Sequence, residues 1–306
     1  STLFDQWWKH DIEAMVLRDR NHPSIFCWSL CNELSKGDVK GLISELNDVS
    51  HREDPGRLTG LAANVEKRPE NAVPDIMAFN TYPGWYWAEP SEMKSTLERW
   101  NRQCGNKGIA VSEYGAGANV WHHWQTGKKT PKADGVFHPE EWQATVHEQT
   151  YYAIKRSGFA WGSFVWNMFD FAADARDQGG EPGMNHKGLV TFDRKTKKDS
   201  FYLYKAWWSE ENFVHICSKR FTDRTEKEIE VKVYSNQKSV TLYADGKKLA
   251  EQTGEHIFKF RVPLHGKVEL NAVAGDCIDT ACFRYVDTPN PDYHLKISNS
   301  TSANWV

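Results

Sequence analysis

Through the first two thirds of the chain, short runs that are apolar at nearly every position alternate with stretches of helical period. Strands apolar on both faces need cover on both, which a parallel sheet receives from the helices of its crossovers. Residues 2–19 place Phe4, Trp7, Trp8, Ile12, Met15 and Val16 three or four positions apart, as on one face of a helix, until Pro23 interrupts. Helical period returns over 39–52, 90–106 and 139–157, and strand-like runs occupy 24–32, 57–63, 75–82, 109–114 and 159–169. The pattern predicts five parallel strands covered by helices.

The period changes near residue 212. Residues 228–235 alternate polar and apolar, as a half-buried strand does. Runs 239–243 and 248–251 flank Asp245-Gly246, a strong hairpin turn signal, and 256–262 and 267–274 repeat the two-residue period. Short antiparallel strands at this spacing predict a small immunoglobulin-like β-sandwich. The expected organisation is an α/β domain over 1–212, a sandwich over 213–287, and an Asn-, Ser- and Thr-rich stretch over 288–306 that is a linker or the start of a further domain.

Lys plus Arg number 38 against 41 Asp plus Glu, a net charge of −3. That balance argues against a nucleic-acid binder or a polybasic membrane-surface protein. The longest apolar stretch, 159–173, carries Ser, Asn and Asp and is too short to span a bilayer. The compartment stays open; a soluble chain in the periplasm or outside the cell fits if a signal peptide precedes it. The six Cys form no C-x-x-C pair and no metal-ligand spacing, and most read as small buried hydrophobes. Neither a metal site nor a cofactor is expected. Fourteen Trp are an excess that either fills a core or stacks on sugar rings. His122-His123, in a loop rich in Gly and Lys, reads as a solvated pair, and 195–198 as a solvated turn. Trp85-Tyr86-Trp87 follows a strand end, where it walls a sugar subsite or packs on neighbouring loops.

Side chains with chemistry in an α/β barrel gather just past the C-terminal ends of the strands. Three ends qualify: Asn32-Glu33, Asn80-Thr81-Tyr82 and Glu113-Tyr114-Gly115. A lone Glu at a strand end is commonly a solvated rim residue. Two on separate strands of one barrel converge, and carboxyls about 5 Å apart serve as acid/base and nucleophile in retaining glycoside hydrolysis. A non-catalytic carbohydrate-binding or interaction module also fits the sandwich and the Trp excess.

The run Asp19-Arg20-Asn21-His22-Pro23-Ser24-Ile25-Phe26-Cys27-Trp28-Ser29-Leu30-Cys31-Asn32-Glu33 resembles the acid/base motif of glycoside hydrolase family 2, the bacterial β-galactosidases and their relatives. It departs at Cys27 and Cys31, where relatives usually carry an aliphatic residue and Gly. Ser112-Glu113-Tyr114-Gly115 is similar to the family's nucleophile strand, and Gly162 to Asn167 to its eighth strand. Asn185-His186-Lys187-Gly188-Leu189 and Asp193-Arg194-Lys195 resemble the segment that closes the barrel.

This resemblance implies Glu33 as general acid/base and Glu113 as nucleophile. It further implies Asn32 on the sugar 2-hydroxyl, Tyr82 holding the nucleophile, and Trp166 under the sugar. Asn185 and Lys187 resemble the pair with which β-glucuronidases of the family grip the sugar carboxylate. The run Gly188 to Lys195 looks more like the β-galactosidases, so a β-galactoside is the favoured substrate and a β-glucuronide the alternative. The five strands would be strands 4–8 of a TIM (β/α)8 barrel, the C-terminal part of a retaining exo-β-glycosidase. The chain starts without Met, and the reading expects either the missing N-terminal part of the same enzyme or a self-association partner against the first strand.

Overall fold

A computed structural model describes residues 2–34, 39–65, 68–106, 108–124 and 130–289; most of the stretch read as a linker, from 290 onward, lies outside them. The chain divides into two compact units, one formed by Ser1–Pro83, Ala88–Tyr114 and Thr150–Val165, the other by Gly84–Trp87, Gly115–Gln149 and Trp166–Val306.

In the first unit, α1 (Thr2–Asp19), β1 (Cys27–Asn32), α2 (Lys40–Glu53), β2 (Leu58–Ala63), β3 (Ile76–Asn80), α3 (Met93–Gln103) and β4 (Ile109–Tyr114) follow in order. The last turns of α4 (Glu140–Arg156) and strand β5 (Ala160–Val165) complete it. The strands form one parallel sheet in the order β1-β2-β3-β4-β5. Ile12 from α1, Leu30 from β1 and Ile43, Leu46 and Val49 from α2 share a buried cluster. Helical period supplies the two matching stripes, and burial of such side chains contributes about 1.5–3 kcal/mol each. Arg57, ahead of β2, donates to the carbonyls of Arg20, His22 and Ile25 and to Asp54. One guanidinium thereby satisfies the turn through Pro23 that launches β1.

Two boundaries differ from expectation. The helix predicted over 90–106 opens with a 3-10 turn, Pro90–Glu92, before α3. Proline suits a first turn, where its missing N–H has no acceptor to lose. The last strand stops at Val165 instead of running to 169.

In the second unit a two-stranded ribbon pairs β6 (Phe171–Ala172) with β7 (Met184–Asn185), followed by α5 (Asp199–Trp208). Then come β8 (Val214–Ile216), β9 (Asp223–Arg224), β10 (Glu228–Ser235), β11 (Ser239–Ala244), β12 (Lys247–Thr253), β13 (His256–Pro263), β14 (Lys267–Ala274) and β15 (Cys277–Tyr285). One sheet has the order β13-β10-β8, the other β12-β11-β14-β15-β9. A single core including Ile216, Val231, Val233, Leu242, Phe258, Phe260, Leu270 and Phe283 is drawn from both. Asp245 and Gly246 take φ of 48° and 76°, the left-handed pair that a two-residue hairpin requires. The sequence reading missed α5, β6, β7, β8, β9 and β15; β6 to β9 are too short to show a period.

Two solvated readings are corrected here. His122 and His123 are buried, 3% and 1% exposed. His123 Nδ1 lies 2.9 Å from Glu141 Oε1 and its ring stacks on Phe221. Lys198, read as part of a solvated turn, is wholly buried because three acceptors meet its ammonium: Ala118 O at 2.7 Å, Asp170 Oδ1 at 2.7 Å and His186 O at 3.0 Å.

Candidate active site

In the first unit the parallel sheet carries Asn32, Asn80 and Glu113 on β1, β3 and β4, with Glu33 and Tyr82 just past strand ends. Glu33 donates its backbone N–H to Ala62 O and takes φ 55°, a left-handed conformation that costs a residue with a side chain about 1–2 kcal/mol. Backbone strain of this kind is kept where the direction of a side chain matters. Asn80 is the hub. Its Nδ2 donates to Glu33 Oε1 at 2.8 Å and to Asn32 Oδ1 at 3.0 Å, while its Oδ1 accepts from Ser112 Oγ at 2.7 Å.

The neighbouring strand end is tied separately. Tyr82 OH donates to Glu113 Oε2 at 2.5 Å, and Thr81 N donates to Glu113 O at 2.8 Å. Tyr82 and Asn80 are buried, whereas Glu33 and Asn32 are exposed. A phenol donating a short hydrogen bond to a carboxylate favours the ionised form and fixes one oxygen. One unit thus carries two carboxylates, at the C-terminal ends of β1 and β4, each oriented by a buried neutral donor.

The second unit carries Trp166, Asn185 and Lys187. Trp166 is 36% exposed and meets Phe171 edge-on, at 5.9 Å between centroids. Asn185 is buried and its Oδ1 accepts the backbone N–H of Lys187 at 3.1 Å. Lys187 Nζ donates to Tyr86 OH at 2.7 Å and lies 4.8 Å from the centre of that ring. Arg176 Nη1 reaches the same phenol oxygen at 3.3 Å. Burial would raise the Tyr86 phenol, but the two cations outweigh it and hold it below its ordinary value. Two cations sharing one phenol oxygen make a place suited to an anion.

The backbone of this segment is held from below. Asp170 Oδ1, paired with Lys198, accepts Gly188 N at 2.8 Å, and Gln143 Nε2 donates to Gly188 O and Ala116 O. A Cβ on Gly188 would lie 2.0 Å from Asp170 N, so only glycine passes there. Asn80, Ser112, Arg176, Asp170 and Lys198 were not among the expected site residues. Asn80 carried a signal, a polar residue ending an apolar strand two positions before Tyr82. Arg176 carried none. No metal site was expected; among the described residues Asp199, His215 and Cys217 have ligand atoms close enough to share an ion.

Residues 4–212 match the family model described as glycosyl hydrolases family 2, TIM barrel domain. A β-glucuronidase of Bacteroides fragilis is 38% identical over 250 residues, which cover 81% of this chain and 36% of that protein. A putative β-glucuronidase of Formosa agariphila is 28% identical, covering 81% and 34%. The chain therefore spans about a third of the length of these curated relatives. Among solved structures, an FMN-binding β-glucuronidase from Facaelibacterium prausnitzii L2-6 superposes with a TM-score of 0.89 at 35% identity, covering 95% of this chain and 46% of that one. A putative β-galactosidase from Bacteroides fragilis gives 0.87 at 33% identity, covering 92% and 44%.

Proposed function

The chain belongs to glycosyl hydrolases family 2, and from that premise we propose that it carries the residues of a retaining β-glycosidase whose substrate is a β-glucuronide. Glu113 attacks the anomeric carbon while Glu33 protonates the departing glycosidic oxygen. Glu33 then removes a proton from water, which releases the sugar from Glu113 with its configuration retained. Tyr82 steadies the nucleophile. Asn32 serves the 2-hydroxyl, a contact that strengthens as the ring flattens toward an oxocarbenium ion. Trp166 offers an apolar face to the sugar.

The observation that carries the choice of sugar is the meeting of Lys187 and Arg176 on Tyr86 OH. A neutral galactoside has no use for two cations, whereas a uronate carboxylate does. The names borne by several relatives move the preference the same way, away from the β-galactoside expected from residues 188–195. A galactoside stays the second reading, supported by the likeness to the putative β-galactosidase structure. We assign residues 1–212 to the barrel domain and 213–287 to an immunoglobulin-like sandwich, a division supported by the change of period near 212.

Purified chain assayed on chromogenic β-glucuronide and β-galactoside should prefer the glucuronide. Lys187→Gln should cost that substrate about ten- to a hundredfold in kcat/KM, the value of a charged hydrogen bond, and leave the galactoside nearly unchanged. Glu113→Gln should abolish both. A preference for galactoside, no turnover of either, or turnover that survives Glu113→Gln would overturn the reading.

A further inference from the structure

In the second unit a thiol, an imidazole and a carboxylate, none of them given a role above, converge out of solvent. Asp199, His215 and Cys217 each present a ligand atom, these atoms lie within 4.8 Å of one another, and the residues are 2%, 8% and 5% exposed. Asp199 opens α5, His215 is the middle residue of β8, and Cys217 follows β8 directly. All three are carried on or beside regular elements, so the cluster is largely preformed.

The surroundings orient two of the three groups. His215 Nε2 is hydrogen-bonded to Asp199 Oδ1 at 2.9 Å, a contact that would widen to about 3.3 Å for two ligand atoms each about 2.0 Å from a tetrahedral zinc ion. On the far side of the ring, Asp279 Oδ2 stands 3.8 Å from His215 Nδ1. That carboxylate is itself held by Ile216 N at 2.7 Å and by Lys219. Without an ion the ring proton sits on Nε2, in the hydrogen bond to Asp199; an ion taken at Nε2 moves it to Nδ1, the nitrogen that faces the Asp279 carboxylate. The Tyr202 ring lies flat on the imidazole, 3.6 Å between centroids, and fixes its plane. Asp199 Oδ2 accepts Ser218 N at 2.7 Å, which turns Oδ1 toward the cluster.

Charge and access agree with a cation. A divalent ion, one carboxylate, one thiolate and a neutral imidazole sum to zero, and a buried site with no net charge avoids the penalty of an unpaired ion. The nearby Lys232 ammonium is already neutralised by Glu148 at 2.5 Å. A cleft of about 270 Å³ opens on Asp199 and Cys217, lined by the acidic Glu141, Glu228 and Glu230 and by the basic Arg224, Lys232 and Arg261. It provides an entry path and room for a fourth ligand.

We propose that Asp199, His215 and Cys217 form a binding site for a zinc-class divalent cation, with a water from the cleft as fourth ligand and Asp279 as the outer carboxylate. Without the ion, burial keeps the Cys217 thiol protonated at neutral pH. Binding releases that proton to solvent, while the single ring proton of His215 passes from Nε2 to Nδ1; no electron moves. The site tethers α5 to the strand that follows it and does not depend on the glycosidase reading.

The test strips the purified chain with a chelator, then titrates it with Zn²⁺ and, separately, with Co²⁺. Expected are one tightly bound Zn²⁺ per chain by elemental analysis, a thermal midpoint that rises with Zn²⁺, and a cobalt–thiolate absorption band. Cys217→Ser should abolish the band although five other Cys are present, and weaken zinc binding at least tenfold. Asp279→Asn, which leaves all three ligands and keeps the test open if Cys217→Ser fails to fold, should weaken it about ten- to a hundredfold. A wild-type chain that takes up no zinc on reloading would overturn the proposal. So would unchanged affinity and an unchanged band in Cys217→Ser, or unchanged affinity in Asp279→Asn.

Discussion

Asn80 shows how much a single buried amide can organise. Its NH₂ group donates to Glu33 and to Asn32, and its carbonyl oxygen accepts from Ser112 beside Glu113. All of its capacity is directed at the strand ends, none at packing. Asn80→Ala removes the donor that aims the Glu33 carboxylate and leaves the fold's apolar contacts intact. On the proposed chemistry kcat should fall about a hundredfold, the cost of misplacing a reacting group by about an ångström, with little change in KM. Asn80→Asp, which keeps the shape but loses the NH₂ donors, should fare no better. A variant with kcat within a factor of two of wild type would remove Asn80 from the positioning role. At this scale the sequence was most legible for Glu33 and Glu113, because a carboxylate ending an apolar strand stands out against its neighbours. It was least legible for His123 and Lys198, whose partners Glu141 and Asp170 are remote in the chain or hidden by the fold.

At the scale of elements, the segment 185–189 is held less by its own strand, β7, than by a buried ion pair beneath it. Lys198 joins Ala118, Asp170 and His186, and Asp170 in turn holds Gly188. Desolvation lowers the Lys198 ammonium's pKa and Asp170 only partly restores it, so the pair is mutually dependent. Lys198→Met should destabilise the protein by about 3–5 kcal/mol, because it strands a buried carboxylate. The double variant Lys198→Met/Asp170→Leu should recover part of that loss. Denaturant unfolding decides: if the two single costs simply add in the double variant, the pair is not coupled and this account fails. Element positions themselves were largely readable. The expected run 109–114 coincides with β4, and 228–235 and 267–274 coincide with β10 and β14. Local periodicity reports which face is apolar, and that decides strand or helix before any long-range contact forms.

For the whole molecule, stability should depend on pH through buried imidazoles. Burial, helped by neighbouring cationic groups, pushes His138 and His147 down to about 3. Above pH 6.5 both are neutral in the folded and unfolded chain, and their full contribution is present. Below 6.5 the unfolded chain takes up protons that the folded chain refuses, so stability falls by about 1.4 kcal/mol per pH unit for each, down to about pH 3. Unfolding free energies between pH 5.5 and 4.5 should therefore show a slope shallower by about one proton in His147→Gln and in His138→Asn than in wild type. An unchanged slope would mean that these rings are protonated in the folded protein.

By itself the sequence determined the parallel arrangement of β1–β5, the later change to antiparallel strands, and the two carboxylates at strand ends. Each follows from the order of apolar and polar residues over a few positions. Only the tertiary structure decided that Lys198 is buried, that Lys187 and Arg176 share Tyr86, and that Asp199, His215, Cys217 and Asp279 converge. The reason is electrostatic. A charged or titratable side chain is driven to solvent unless partners replace its hydration, and those partners come from distant segments that no local pattern brings together.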